Sequence, residues 1–341
     1  MNKGNLPWIS TARGLAIFLV VLHHSIQWSD SAGYGSEAWL HFTWSLATMR
    51  LPLFFVIAGM LAVKWMRRPL RDVIRSKVAT LAWLYVLWQL VTVLAYLVIP
   101  NVSTPGKGNL RELLTAAATV ILPQNSLWFI WALALFFIIS HVLYERVPVW
   151  AVILPAAAVS SLSLAGMIPV GNIGWNGALS NFVFFAAGVY GVKLLTAFAG
   201  WLNVWTALAV VSGWVVCLMF LPTLDAVGLN LLTRGLGLAA GISLGVLLQR
   251  LRGLGRVGAQ TLIYYLPHYV ILGALAFVAS EFSLPATTAL WLPAALLILT
   301  VLLCVGLRRI IQLLRCEDWA YGLPSQISRR IATKDQVDSS V

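Results

Sequence analysis

The sequence predicts an all-α, polytopic integral membrane protein with about ten transmembrane helices. Three observations predict it. Hydrophobic residues make up 60% of the 341 and charged residues only 10%, against about 25% charged in soluble proteins, so the chain lacks the polar residues to cover a domain in water. Apolar runs of membrane-helix length, about 20 residues, recur along the chain. The basic residues between them fall in alternate gaps, as the positive-inside rule requires. That distribution also accounts for the net charge of +12. The partner it implies is the lipid bilayer, and no nucleic acid is called for.

The first run, 11–28, continues into His23 and His24 with no small-residue cleavage site after it, so it reads as a retained span and not a signal peptide. The runs 43–63, 78–99, 125–144 and 149–169 follow, and then 178–194, which is short and rich in Gly and Ala. The runs 201–221, 229–249, 260–279 and 286–307 complete the series. The gap 64–77 holds Lys64, Arg67, Arg68, Arg71, Arg75 and Lys77 around a single Asp72, and the gap 250–259 holds Arg250, Arg252 and Arg256. The end of the chain adds Arg308, Arg309, Arg315, Arg329, Arg330 and Lys334. The opposite gaps carry Asp30, Glu37, Asp225 and Glu281, with Lys107 and Arg111 their only basic residues. Ten spans put every basic gap on one side, the cytoplasmic one, with both termini there.

Residues 1–316 therefore read as one transmembrane domain and 317–341 as a polar, poorly ordered cytoplasmic tail. Residues 100–124 form the longest outer loop, opening with Pro100, Pro105 and Gly106, and its second half reads as an interfacial helix. Cys217, Cys304 and Cys316 are far apart in sequence and suggest neither a metal site nor a disulfide framework. No internal repeat of the kind that marks many transporters is evident.

Ionisable residues inside spans are costly and mark function by default. Here they are Arg13, His23, His24, Arg50, Arg234 and His268. His24 lies eleven residues after Arg13, about 16 Å along a helix axis and within roughly 20° of the same face. His23 falls about 80° from that face. A cation near the cytoplasmic end and a histidine toward the outer half suit a reaction that spans the membrane. They equally suit a helix-end anchor and histidines bonded to neighbouring helices. Arg50 sits at a similar depth to His24, two residues before Pro52, whose missing N–H frees a carbonyl and bends the helix. It reads as a pocket residue or as a snorkelling cation. The 64–77 cluster reads as a topology signal, or as a site for phosphates or anionic headgroups. His268, after Tyr264, Tyr265 and Pro267, is structural or functional.

Four stretches give the chain a resemblance to a known family, the acyltransferase-3 membrane O-acyltransferases of bacterial envelopes. The first runs from Ala12-Arg13-Gly14 to His23-His24 and matches the family's arginine, ten-residue spacing and histidine. The second is Pro52-Leu53-Phe54-Phe55-Val56-Ile57-Ala58-Gly59. The third is the basic run into Lys77 followed by Leu84-Tyr85-Val86-Leu87-Trp88, and the fourth is Ile263-Tyr264-Tyr265-Leu266-Pro267-His268. Leu127-Trp128-Phe129 is a weaker fifth. They occur in the family's order over residues 12 to 270. Ala58 replaces a frequent serine, Leu84 a usual proline and Thr80 a common second arginine.

The resemblance implies transfer of an acyl group, most often acetyl, from cytoplasmic acyl-CoA (acetyl-CoA) to a hydroxyl of an envelope glycan or its lipid-linked sugar precursor. No bound cofactor and no metal are implied. It makes His24 the general base, a role that its unperturbed pKa of about 6.5 suits. Arg13 would hold donor phosphate or stabilise developing charge. Arg50 and His268 would help bind substrate, and Arg71, Arg75 and Lys77 would attract the coenzyme's phosphates. It implies the bacterial inner membrane as location. The rival function is a ten-helix transporter in which Arg13, His24, Arg50, Arg234 and His268 line an anion or proton path.

The orientation has a direct test. Single cysteines placed in 64–77 and 250–259 should be shielded from an impermeant thiol reagent in intact cells, and those in 100–112 should be labelled. Labelling of the 64–77 gap from outside would reverse the topology.

Overall fold

A computed structural model describes residues 6–103, 118–119, 121–220 and 226–324. The expected loop helix after residue 103, Pro105, Gly106, Lys107, Arg111 and Asp225, and the end of the tail with Arg329, Arg330 and Lys334, lie outside the described residues.

The protein is all-helical. Six helices are long and apolar enough to cross a membrane: α1 (Pro7–Ser31), α2 (Glu37–Met66), α3 (Leu70–Val98), α9 (Leu229–Leu247), α11 (Thr261–Ser280) and α12 (Thr288–Leu313). Between α3 and α9 come three shorter apolar helices, α4 (Trp128–Leu143), α5 (Val149–Leu164) and α8 (Val204–Phe220). With them lies a pair, α6 (Ile173–Tyr190) and α7 (Val192–Trp201), bent by 80° at Gly191. Two short helices, α10 (Arg252–Ala259) and α13 (Glu317–Tyr321), complete the described residues. The six long helices, the bent pair and the three shorter helices occupy the ten positions of the apolar runs. Leu90, Leu94, Leu154, Leu299 and Leu302 are exposed on the periphery, where only lipid would leave them without penalty.

Helix ends differ from the hydropathy expectation in both directions: α1 and α2 outrun their apolar runs, whereas α4, α5, α8 and α9 are shorter than theirs. α1 extends beyond 11–28 at both ends, with Pro7 in its first turn, where its missing N–H costs nothing. α3 starts at Leu70, eight residues before the apolar run that contains it. Its basic first turns include a π-helical stretch, Ile74–Val78, that carries Arg75 and Lys77. Much of the 64–77 gap is thus helix. The run 178–194 belongs to a helix that starts at Ile173, capped by Asn172, whose side-chain oxygen accepts from the N–H groups of Gly174 and Trp175, both at 3.0 Å. The chain then turns at Gly191 instead of running on to 194. α2 continues as one helix through Pro52.

The tail begins in a docked form. Trp83 Nε1 donates to the carbonyl of Trp319 at 3.0 Å, and Trp88 Nε1 to that of Ala320 at 2.9 Å. These bonds, with Trp83 packed edge-on to Trp319, hold α13 to α3. Burial there pushes the Tyr321 hydroxyl up to about 12.

α1 and α2 form the centre. In α2's most apolar stretch 67% of the residues are buried, against 28% in α3. α1 packs on α2, α9, α10, α11 and α12. Its crossing with α10 is so close that a Cβ on Gly258 would lie 1.7 Å from the Ser10 carbonyl oxygen, and one on Gly14 2.2 Å from that of Leu254. The α2–α6 crossing is alike: a Cβ on Gly59 would meet Phe185 O at 2.1 Å, and one on Gly188 Val56 O at 2.1 Å. Small residues of this kind let membrane helices associate where lipid removes the hydrophobic incentive. Beside the crossing, Phe55 packs on Phe129 and Phe136 with ring centres 4.6 and 5.3 Å apart.

Gly188→Val should therefore separate α2 from α6 and lower the melting temperature of the purified protein. The loss expected is at least the about 1–3 kcal/mol of an overpacked core. Gly213→Ala, with nothing within 4 Å of the added carbon, should be neutral or slightly stabilising. Equal melting of the Gly188→Val variant and wild type would refute the close crossing.

Candidate functional site

A cavity of about 610 Å³ opens toward the end of the bundle where α1 ends and α2 begins. α1 contributes His23, His24 and Gln27; α2 contributes His41, Trp44, Thr48 and Arg50. The opposite wall is polar: Ser163 at the end of α5 and Asn176, Ser180 and Asn181 on α6 are neutral, and Arg234 on α9 adds a cation. Trp128, Phe129 and Tyr265 add an aromatic side.

The helix phase of α1 decides what each histidine meets. His24 turns to α11, its ring centre 5.2 Å from that of His268 and 5.4 Å from that of Tyr269. Arg13, on the same face three turns earlier, also reaches α11: its Nη2 donates to Thr261 Oγ1 at 2.9 Å. His23 turns to α2, where its Nδ1 lies 2.9 Å from Thr43 Oγ1. The same hydroxyl accepts from Arg50 Nη1 at 3.4 Å. Thr43 so joins His23 to Arg50 across the α1–α2 interface.

His24 has a partner within its own helix. Its Nδ1 lies 2.9 Å from Gln27 Oε1, the i, i+3 spacing that places two side chains on one face. His268 is fully buried behind His24, its Nδ1 2.5 Å from the Tyr265 carbonyl oxygen. That contact lies at the break in α11, where the turn Thr261–Tyr265 ends and the helix resumes at His268 after Pro267. Tyr265 itself donates its hydroxyl to the Ser126 carbonyl, which ties α11 to the loop entering α4.

The polar wall is internally bonded. Ser163 Oγ donates to Asn176 Oδ1 at 2.7 Å and lies 3.0 Å from Ser180 Oγ. Ser161 Oγ donates to Asn230 Oδ1 at 2.8 Å, and Asn230 Nδ2 returns a bond to the Ser161 carbonyl at 2.8 Å. Arg234 Nη1 donates to the Asn230 carbonyl at 3.1 Å. In a bilayer such bonds must be found within the protein, and these join α5, α6 and α9 into one wall.

The structure thus brings His24 and Arg50 into one cavity, with His268 behind the His24 ring. It does not bring Arg13, Arg71, Arg75 or Lys77 there. Arg13 stays about 16 Å down the α1 axis from His24. Lys77 Nζ sits 4.8 Å from the centre of the Trp65 ring and Arg68 4.7 Å from it. Arg67 pairs with Glu145 at 3.3 Å at that same end. Gln27, Trp44, Tyr265 and the Ser–Asn wall are site residues that a search for ionisable groups passes over. Gln27 was legible from its i+3 spacing, and the wall from Ser and Asn recurring in apolar runs. Among the described residues no group of three His, Cys, Asp or Glu side chains is placed to hold a metal ion.

Compared with known proteins, the chain matches the acyltransferase-3 family, described as an acyltransferase domain, over residues 6–309. The chain belongs to that family. It is a polytopic membrane protein. It is also 25% identical over 210 residues to the "Inner membrane protein YcfT" of Escherichia coli (strain K12), an alignment covering 55% of this chain. The match spans 57% of the length of that relative. No solved structure matches.

The tie between α11 and the α4 entry has a measurable consequence. Tyr265→Phe removes the bond to the Ser126 carbonyl and leaves that carbonyl unpaired in the protein interior. It should cost about 1–3 kcal/mol, read as a lower melting temperature in detergent. No change in melting would show that the hydroxyl is not holding the cavity's aromatic side.

Proposed function

We propose that this acyltransferase moves an acyl group, acetyl by the family resemblance, from cytoplasmic acyl-CoA to a hydroxyl of an envelope glycan or its lipid-linked precursor. The observation that carries this reading is the His24–Gln27 pair at the cavity wall. With the amide oxygen at Nδ1, Nδ1 carries the hydrogen and Nε2 keeps the lone pair. Nε2 is then the base. It takes the proton of the acceptor hydroxyl as that oxygen attacks the thioester carbonyl. The tetrahedral intermediate collapses with cleavage of the carbon–sulfur bond, and the imidazolium returns the proton to the leaving coenzyme thiolate. The products are the acyl ester and free coenzyme A.

The two ends of α1 divide the substrates. Arg13 lies at the end where Lys64, Arg67, Arg68, Arg71, Arg75 and Lys77 cluster. That end receives the coenzyme's phosphates, with the arginines of α3 and Lys77 supplying long-range attraction. The other end holds the cavity, which receives the acceptor. Its volume falls in the about 300–1,000 Å³ range of small-molecule sites, and Trp44 and Trp128 offer ring faces for a sugar. The positive-inside rule puts the basic end in the cytoplasm. The name of the Escherichia coli relative supports the inner membrane as location.

His24→Ala should lower acyl transfer by the about hundred- to ten-thousand-fold typical of a general base, with protein level near normal. His23→Ala, which breaks a contact to Thr43, should do less. Gln27→Leu should lower kcat more than KM, because it frees the ring to adopt the other tautomer while leaving the acceptor's contacts in place. Acetyl-CoA turnover and mass spectrometry of glycans, at matched protein levels, read all three. Near-normal transfer by His24→Ala would remove the proposed base.

A further inference from the structure

Among the described residues the cavity's charge is one-sided: two arginines, Arg50 and Arg234, and three histidines line it, and no Asp or Glu among them does. Arg50 is only 5% exposed. Its Nη1 has the Thr43 hydroxyl at 3.4 Å, a long bond for a group with five donors. Burying a guanidinium is costly unless an anion meets it, and Arg50 sits well inside α2, not at an end from which it could snorkel to water. The ion pairs Arg67–Glu145 and Arg308–Glu317 lie at the opposite end of the bundle. Arg234 adds its guanidinium from α9 on the facing wall.

Resting on the acceptor assignment made above, we propose that the acceptor is anionic: the hydroxyl that is acylated belongs to a sugar unit bearing a carboxylate or a phosphate, which Arg50 and Arg234 bind. The shared chemistry is a tetrahedral or planar oxyanion that accepts several N–H bonds from guanidinium groups. Arginine suits both forms through its planar, forked donors. His24 stands on α1 beside Arg50, so an anion held by Arg50 fixes the sugar with a neighbouring hydroxyl toward the His24 ring. The aromatic rings of Trp44 and Trp128 then bear on the apolar face of the same sugar. A neutral sugar would leave Arg50 without its counter-charge and so bind more weakly.

The test uses the full chain in nanodiscs with three probes: methyl β-D-glucoside, methyl β-D-glucuronide and glucose 1-phosphate. Binding is read by tryptophan fluorescence, which Trp44 and Trp128 report from the cavity. Ester formation from acetyl-CoA is read by mass spectrometry. One or both anionic probes should bind about tenfold or more tightly than the glucoside, as expected for a charge-assisted contact. Whichever of the two is preferred identifies carboxylate or phosphate. Arg50→Gln should abolish the preference, and Arg50→Lys should keep part of it in a protein of the same melting temperature. Equal binding of neutral and anionic probes to the wild-type protein overturns the proposal, as does a preference that survives in the Arg50→Gln, Arg234→Gln double variant. Anion preference with no ester formed on any probe would support the anion site and count against the acyl-transfer reading. Ester formation on the glucoside as efficient as on the anionic probes would do the reverse.

Discussion

Two glycine crossings hold the rest of the molecule in place. At one, Gly14 and Gly258 bring the backbones of α1 and α10 into contact; at the other, Gly59 and Gly188 do so for α2 and α6. A bilayer gives no net reward for burying leucine against leucine, so helix association must come from close packing and internal polar bonds. The two crossings involve the two helices that carry His24 and Arg50. They lie away from the cavity, toward the opposite end of the bundle. The cavity lies beyond them, between α1, α2 and α6.

The polar groups then follow a simple economy. Within a bilayer a buried hydroxyl or amide can be bonded inside the protein or held for a ligand. Ser161 with Asn230, and Ser163 with Asn176 and Ser180, take the first course and tie α5, α6 and α9 together. Arg50 takes the second, with one long bond to Thr43. The contrast between the closed Ser–Asn wall and the lightly bonded arginine separates scaffold from site within a single cavity.

Much of this was legible in the sequence, for physical reasons. Apolar length located ten helical segments, six of them long and apolar enough to cross a membrane and a seventh if the bent pair is one span, because the bilayer thickness sets helix length. It misjudged their ends: a helix continues past the hydrocarbon wherever its backbone stays satisfied, as in the basic first turns of α3, and stops inside an apolar run where the chain turns, as at Gly191. The eleven-residue interval put Arg13 and His24 on one face, and in the structure both reach α11. Charge alone could not reveal Gln27 or the Ser–Asn wall, since neutral polar residues leave no mark on a charge map and little on hydropathy. The docking of Trp319 and Ala320 on Trp83 and Trp88 was hidden for another reason. It uses backbone carbonyls as acceptors, which every residue possesses and no sequence pattern announces.

The geometry of α1 also explains how one helix can serve two compartments. Arg13 is fixed by Thr261 near the basic end, and His24 meets His268 and Tyr269 near the cavity. α11 therefore runs beside α1 in the same direction, with 7 residues from Thr261 to His268 matching 11 from Arg13 to His24. An unbroken α-helix of that length would fall about 6 Å short at 1.5 Å per residue. Leu266 and Pro267 both keep right-handed helical dihedrals, so the break lengthens the path little, and the side chains make up the difference by reaching along the axis. The break matters for another reason: it leaves the Tyr265 carbonyl oxygen to the His268 ring, which holds that ring behind the proposed base.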